Sequence, residues 1–179
     1  MNLVEPIKKV HNIELIKEYL KGNERNLLMF NLGINSGLRK SDILTLDVKD
    51  VKDKEYIAIR EKKTNKFKRF PLNKNLQEQI NKFVKDKELD SPLFLTQKHK
   101  RLDRIQAYKI LNKAVKTLGF DIRVGTHSLR KTFGYHHFKK FNNLPLLQKN
   151  LNHSSPSVTL RYTGIEQDTI DENYMNFYL

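Results

Sequence analysis

Three short stretches carry the residue types and spacings that could do chemistry. HSLRK, residues 127 to 131, puts His127 and Arg130 three positions apart, so on a helix both side chains leave one face and can grip a single anion. GLRKSD, residues 37 to 42, sets Arg39 after a glycine and before a helix start, where unpaired backbone N–H groups also favour a phosphate. Asp42 either orients that arginine from behind or serves the first turn of its own helix. LNHSSPSVTLRYTG, residues 151 to 164, places His153 nine residues before Tyr162 with a Ser-Ser-Pro turn between them. A helix beginning near Pro156 carries the phenol about two turns along, toward the imidazole. Singly, each feature is also what a solvated helix face, an exposed turn or a packed tyrosine presents; the set is what points to an anion site.

The elements that position these residues follow from periodicity and punctuation. Asn12 caps a helix through Lys21 that carries Ile13, Ile16 and Leu20 and stops at Gly22. Residues 24 to 35 form a second helix, ended by Gly37. SDILTL is a short helix capped by Ser41. LDVKDV, EYIAIR and KFKRFPL then alternate as three antiparallel strands, with EKKTNK as the loop of the last hairpin. Helices resume after Pro71, around Leu76, Ile80, Phe83 and Val84. A longer one follows through Ile105, Tyr108, Leu111, Val115 and Leu118 to Gly119. From Thr126 onward the pattern is helical, with Pro145 and Pro156 each suited to a first turn. The expected fold is α+β: one mainly helical domain with a small three-stranded antiparallel sheet, and no repeat, low-complexity tract or linker.

Charge supplies the partner class. The 179 residues hold 34 Lys and Arg against 20 Asp and Glu, a formal net charge of +14. No long single-sign tail accounts for the excess, so the surface itself attracts a polyanion, and nucleic acid is favoured over a merely soluble basic protein. REKKTNKFKR, residues 60 to 69, has six basic residues in ten and is costly unless water or phosphate surrounds it. Arg60, Lys62, Lys66, Lys68 and Arg69 there, with Lys98, Lys100 and Arg101 in the loop QKHKR, are the candidate nucleic-acid contacts. There is no cysteine, hence no disulfide and no thiolate metal site. No apolar run approaches the roughly 18 residues of a membrane span, and MNLVEPIKKV lacks a signal-peptide core, so a cytoplasmic protein is expected.

GLRKSD, the hairpin lysine Lys63, HSLR, and LNHS followed nine residues later by Tyr162 resemble, in order and spacing, the catalytic domain of the tyrosine recombinases, the phage integrase family. The resemblance covers most of the chain. It implies Arg39, Lys63, His127, Arg130 and His153 as catalytic residues and Tyr162 as the nucleophile. Lys63 stands eight residues before Pro71, the spacing that fits the family, although Lys62 and Lys66 share its loop. Two positions depart from the family pattern. Lys131 stands where a second histidine often follows the second arginine. Asn152 replaces the glycine of L-G-H, and asparagine tolerates the left-handed backbone that glycine would supply.

By the same resemblance the chain is a site-specific recombinase or integrase of a mobile element, joined transiently to DNA through a 3′-phosphotyrosyl bond, with no metal, ATP or other cofactor. Residues 1 to 179 then correspond to the catalytic domain, and the separate helical domain that usually precedes it is absent. The competing readings are a type IB topoisomerase-like strand transferase and an inactive recombinase-derived DNA-binding module; retention of every site residue and the L-x-H turn before Tyr162 disfavour both. Partners are double-stranded DNA and further copies of the chain, as a tetramer in synapsis. The acidic tail EQDTIDENYMNFYL, with Ile170, Tyr174, Phe177 and Tyr178 at near-helical spacing, either packs on its own core or docks into a neighbouring protomer.

Overall fold

Local capping chemistry sets the element boundaries. The structure, a computed structural model, describes residues 4–60, 67–125, 127–164, 171–172 and 174–178. Helix α1 (Val10–Leu20) buries Ile13, Ile16 and Leu20; it starts two residues ahead of Asn12, with Lys9 at its N-cap and no side-chain cap. Helix α2 (Glu24–Ser36) is capped by the Asn23 side chain, which accepts from Asn26 N, and ends on Gly37 in the left-handed region at φ 64°. Helix α3 (Lys40–Ile43) has Arg39, not Ser41, as its N-cap.

The sheet differs from expectation. Among the described residues it has two strands, β1 (Tyr56–Arg60) and β2 (Phe67–Pro71), antiparallel with Ala58 opposite Arg69. The segment expected as a third strand is instead a 3₁₀ turn over Val48–Asp50. Its alternation of Leu46 and Val48 is real, and both are buried. However, the carboxylates of Asp47 and Asp50 accept from the turn's own backbone N–H groups, which competes with a ladder. Only an isolated bridge, Asp47 to Pro92, remains of strand pairing there.

Helix α4 (Lys74–Val84) is capped by Asn73, and α5 (Arg104–Thr117) by an Asp103–Gln106 capping box. Helix α6 (Ser128–Phe141) runs to a left-handed Asn142. Helices α7 (Leu144–Leu151) and α8 (Pro156–Thr163) each carry proline in the first turn, as the sequence predicts, and end on left-handed Asn152 and Gly164.

Two apolar clusters use opposite faces of α2. Leu28, Met29 and Leu32 pack toward α3, the hairpin and α4, while Phe30 joins Ile16, Leu111, Val115 and Leu129 beneath α1, α5 and α6. Helix α6 lies directly against α2. A Cβ on Gly33 would fall 2.6 Å from Leu129 Cδ1, so glycine is what allows the two backbones to approach. That close packing brings the C-terminal end of α2, and Arg39 just beyond it, beside the first turns of α6. No helix among the described residues is long and apolar enough to cross a membrane.

Candidate active site

Arg130 is the centre of the site. It leaves the first turn of α6 and is 3% exposed. Its guanidinium donates through one terminal nitrogen to Gly37 O at 2.6 Å and through the other to Leu151 O. The first carbonyl belongs to the turn before Arg39, the second to the turn before His153. One planar fork therefore joins three stretches that are far apart in sequence, which a lysine could not do.

Arg39 lies beside it with Asp42 behind. Asp42 is 3% exposed and its Oδ2 stands 4.0 Å from an Arg39 terminal nitrogen, so it faces the arginine while sitting in the first turn of α3. His127, at the N-cap of α6, and His153, just after α7, flank Tyr162 on α8. The phenol oxygen is 3.4 Å from His127 Nδ1. The rings of His153 and Tyr162 meet edge to face at 4.8 Å, and those of His127 and Tyr162 at 6.2 Å.

His153 is held in a defined orientation. Its Nδ1 is 3.1 Å from Thr159 Oγ1, and that hydroxyl donates its hydrogen to Ser155 O at 3.2 Å. The hydroxyl must then accept, so Nδ1 carries the hydrogen and Nε2 keeps the lone pair. The turn that presents His153 relies on left-handed Asn152, φ 51°, as asparagine permits.

The site concentrates positive charge, and its titrating groups respond. Burial, then the charges of Arg130, Arg39 and Lys68, push His153 down to about 4. Burial and the charges of Arg130, Arg39, Lys131 and Arg104 also lower His127. Tyr162 is raised by burial, against the pull of Arg130 and Arg39. Both imidazoles and the phenol are therefore neutral near pH 7 while the site is unliganded.

The remaining sequence candidates fall into several groups. Lys62, Lys63 and Lys66 lie outside the described residues. Lys68 on β2 sits 4.5 Å over the Phe70 ring and acts on His153, which places this side of the hairpin by the site. Arg60 is exposed at the end of β1, and Arg69 stacks 3.7 Å above the Tyr56 ring. Lys98 and Lys100 are exposed in a turn. Arg101 is committed to the protein: it donates to Leu44 O, Leu46 O and Asp47 Oδ1, the last at 2.6 Å.

Two residues near the site, Arg104 and Lys40, escape sequence reasoning, and Lys131, noted there only as a departure from the family pattern, joins them. Arg104, the first residue of α5, acts on His127; the Asp103–Gln106 capping box was the available signal. Lys40 is buried, donates to Arg104 O at 2.9 Å and is pushed down to about 8, chiefly by burial. Lys131 is equally buried and faces the Tyr162 ring. Among the described residues no group of three His, Cys, Asp or Glu side chains is arranged to hold a metal ion.

Comparison with known proteins gives the class. The sequence profile of the phage integrase family matches residues 9–168, and the chain belongs to that family. A protein of Bacillus subtilis strain 168 named "Probable integrase/recombinase YoeC" is 42% identical over 179 residues, covering 99% of this chain and 98% of its own. The tyrosine recombinase XerC of Thermodesulfovibrio yellowstonii is 26% identical over 161 residues; the match takes in 84% of this chain but 54% of XerC. In fold, the crystal structure of XerA recombinase superposes with a TM-score of 0.78 at 19% identity, over 98% of this chain and 64% of that one. The post-cleavage complex of XerH recombinase on its difH substrate gives 0.77 at 22%, over 98% and 54%. The chain is a tyrosine recombinase catalytic domain, of the class that breaks and rejoins DNA strands at specific sites.

The neutral His153 has a consequence for stability. In the unfolded chain a histidine titrates near about 6.5, so between that value and about 4 the unfolded state binds the extra proton. Folding stability is therefore full above the unfolded value and falls as pH drops through this window. His127 and His137, both lowered, act in the same direction. Urea unfolding at pH 7 and pH 5 should show the loss, and His153→Gln should lose less over the same interval; an equal loss in the variant would contradict a depressed His153.

Proposed function

We propose that Tyr162 attacks a DNA phosphodiester that Arg39 and Arg130 hold. The observation that carries this reading is the convergence on one phenol of two arginines and two histidines from three separate segments. Uncatalysed phosphodiester cleavage is extremely slow, so the site must stabilise charge developing on the non-bridging oxygens. Arg39 and Arg130 supply fixed donors for them. Two of Arg130's five N–H groups hold carbonyls, and a side-chain hydrogen bond links the same guanidinium to Tyr162.

His127 takes up the phenol proton across the 3.4 Å contact as the oxygen bonds to phosphorus. A bound phosphate raises His153, which then gains a proton at Nε2 and donates to a non-bridging oxygen. The bond to the 5′-oxygen breaks as the phosphotyrosyl bond forms, so its energy is kept. The 5′-hydroxyl of the same or a partner strand reverses the attack. Lys63 protonates the leaving oxygen. Its loop joins β1 to β2, and Lys68, two residues beyond that loop, already acts on His153.

The substrate is double-stranded DNA in the cytoplasm, contacted by the basic hairpin and the Lys98–Lys100 turn. Copies assemble on it, as a tetramer in synapsis, by donating their C-terminal tails. Tyr174, Met175, Phe177 and Tyr178 are 81, 86, 72 and 98% exposed, apolar surface that docking in a neighbour would cover.

Incubation with a nicked suicide substrate from the protein's own genomic neighbourhood should trap the chain covalently, and Tyr162→Phe should bind DNA nearly unchanged yet form no adduct. An adduct of wild-type yield from that variant would exclude Tyr162 as nucleophile.

The role of Lys63 is separable from charge. A 5′-bridging sulfur makes a leaving group that needs no proton. Lys63→Ala should therefore cleave normal DNA poorly and the sulfur-substituted DNA almost as well as the wild type. Equal impairment on both substrates would assign the acid elsewhere, first to Lys62 or Lys66.

A further inference from the structure

Residues 4 to 8 run along α6 in non-helical form, with hydrogen bonds to Lys131, Thr132 and His136 and to segments beside the site. Glu5 N donates to Arg123 O at 2.8 Å, four residues before His127. Ile7 N donates to Thr132 Oγ1, and His136 Nε2 donates to Ile7 O, both at 2.9 Å. Lys8 Nζ reaches Gly164 O at 3.4 Å, the C-cap of the helix that carries Tyr162. Ile7 is fully buried, which fixes the middle of the segment.

Lys131 connects this segment to the phenol. It follows Arg130, is 8% exposed, donates to Val4 O at 2.9 Å and lies 5.3 Å from the centroid of the Tyr162 ring. A buried ammonium costs more than an apolar side chain of the same length unless its partners repay the desolvation. What the lysine adds is a directed hydrogen bond on one side and attraction to the face of a ring on the other.

We propose that residues 4–8 are a strap that sets the orientation of Tyr162 through Lys131, making Lys131 a positioning residue for the nucleophile. This rests on Tyr162 being the nucleophile. The strap bridges the approach to His127, the residue after Arg130 and the end of α8, so it resists tilting of α8 away from the two arginines. Lys131 transmits that restraint to the ring itself.

The test is the single-turnover rate of covalent adduct formation at saturating suicide substrate. Lys131→Met should slow it by about tenfold to a hundredfold, the scale of a small misplacement of a reacting group. Its DNA affinity should stay within about twofold. Lys131→Arg should recover most of the rate. Deletion of residues 1–5 removes the Val4 carbonyl and should cost as much as Lys131→Met, and the double variant should be no slower than either alone. A wild-type rate in Lys131→Met, a loss that appears wholly in DNA affinity, or losses that multiply in the double variant would overturn the proposal. Should the deletion fold poorly, the Lys131→Met and Lys131→Arg pair decides. Absence of any adduct from the wild-type protein would instead refute Tyr162 as nucleophile. In that event 3-fluorotyrosine labelling, with the Tyr162 signal assigned by its loss in Tyr162→Phe, still reads the strap: the resonance should shift in Lys131→Met, and an unmoved signal would overturn it.

Discussion

A buried guanidinium has to be hydrogen-bonded, and the way Arg130 meets that demand organises the molecule. An ion of this kind left unpaired costs several kcal/mol, so the chain must bring acceptors to it. The two it recruits, Gly37 O and Leu151 O, close turns that pass through the left-handed region at Gly37 and Asn152. Immediately beyond those turns stand Arg39 and His153. The spacing between two proposed catalytic groups is thus set by the width of one guanidinium. The glycine-mediated contact of α2 with α6 is what lets Arg130 reach both carbonyls.

The same cluster explains the electrostatics. Arg39, Arg130, Lys68, Lys131 and Arg104 act on the two histidines, and Asp42 stands behind Arg39 on the protein side. Packing like charges together is unfavourable in the unliganded protein, and it adds to burial in depressing His127 and His153. A phosphodiester entering such a site neutralises part of that charge, restores the imidazoles toward protonation and draws the phenol's oxygen into a field that favours its anion. Burial of Tyr162, which opposes ionisation, keeps the proposed nucleophile protonated in the unliganded protein.

Much of this was legible in the sequence because it depends on local chemistry. The turns at Gly37 and Asn152, the prolines opening α7 and α8, and the one-turn spacing of His127 and Arg130 are written in residue type and interval. What the sequence hid depends on competition or on distance along the chain. The alternating Leu46 and Val48 suggest a strand, but Asp47 and Asp50 cap the backbone into a turn. Arg101 resembles a DNA contact in a basic loop, yet three acceptors from residues 44 to 47 hold it. Lys40 and Lys131 look like surface cations and are buried against Arg104 O and Val4 O, partners 64 and 127 positions away. Nothing periodic marks residues 4 to 8, which hydrogen-bond to Arg123, Lys131, Thr132, His136 and Gly164, all more than a hundred positions away.

The central claim is that one arginine both assembles the site and stabilises the transition state. The direct test is the single-turnover cleavage rate of Arg130→Lys at saturating DNA, a substitution that keeps the charge and removes the fork. Loss of a fixed transition-state donor predicts a fall of about a hundredfold or more. Cleavage at the wild-type rate would contradict the account, because a single ammonium would then be doing what is proposed for a planar, two-carbonyl fork.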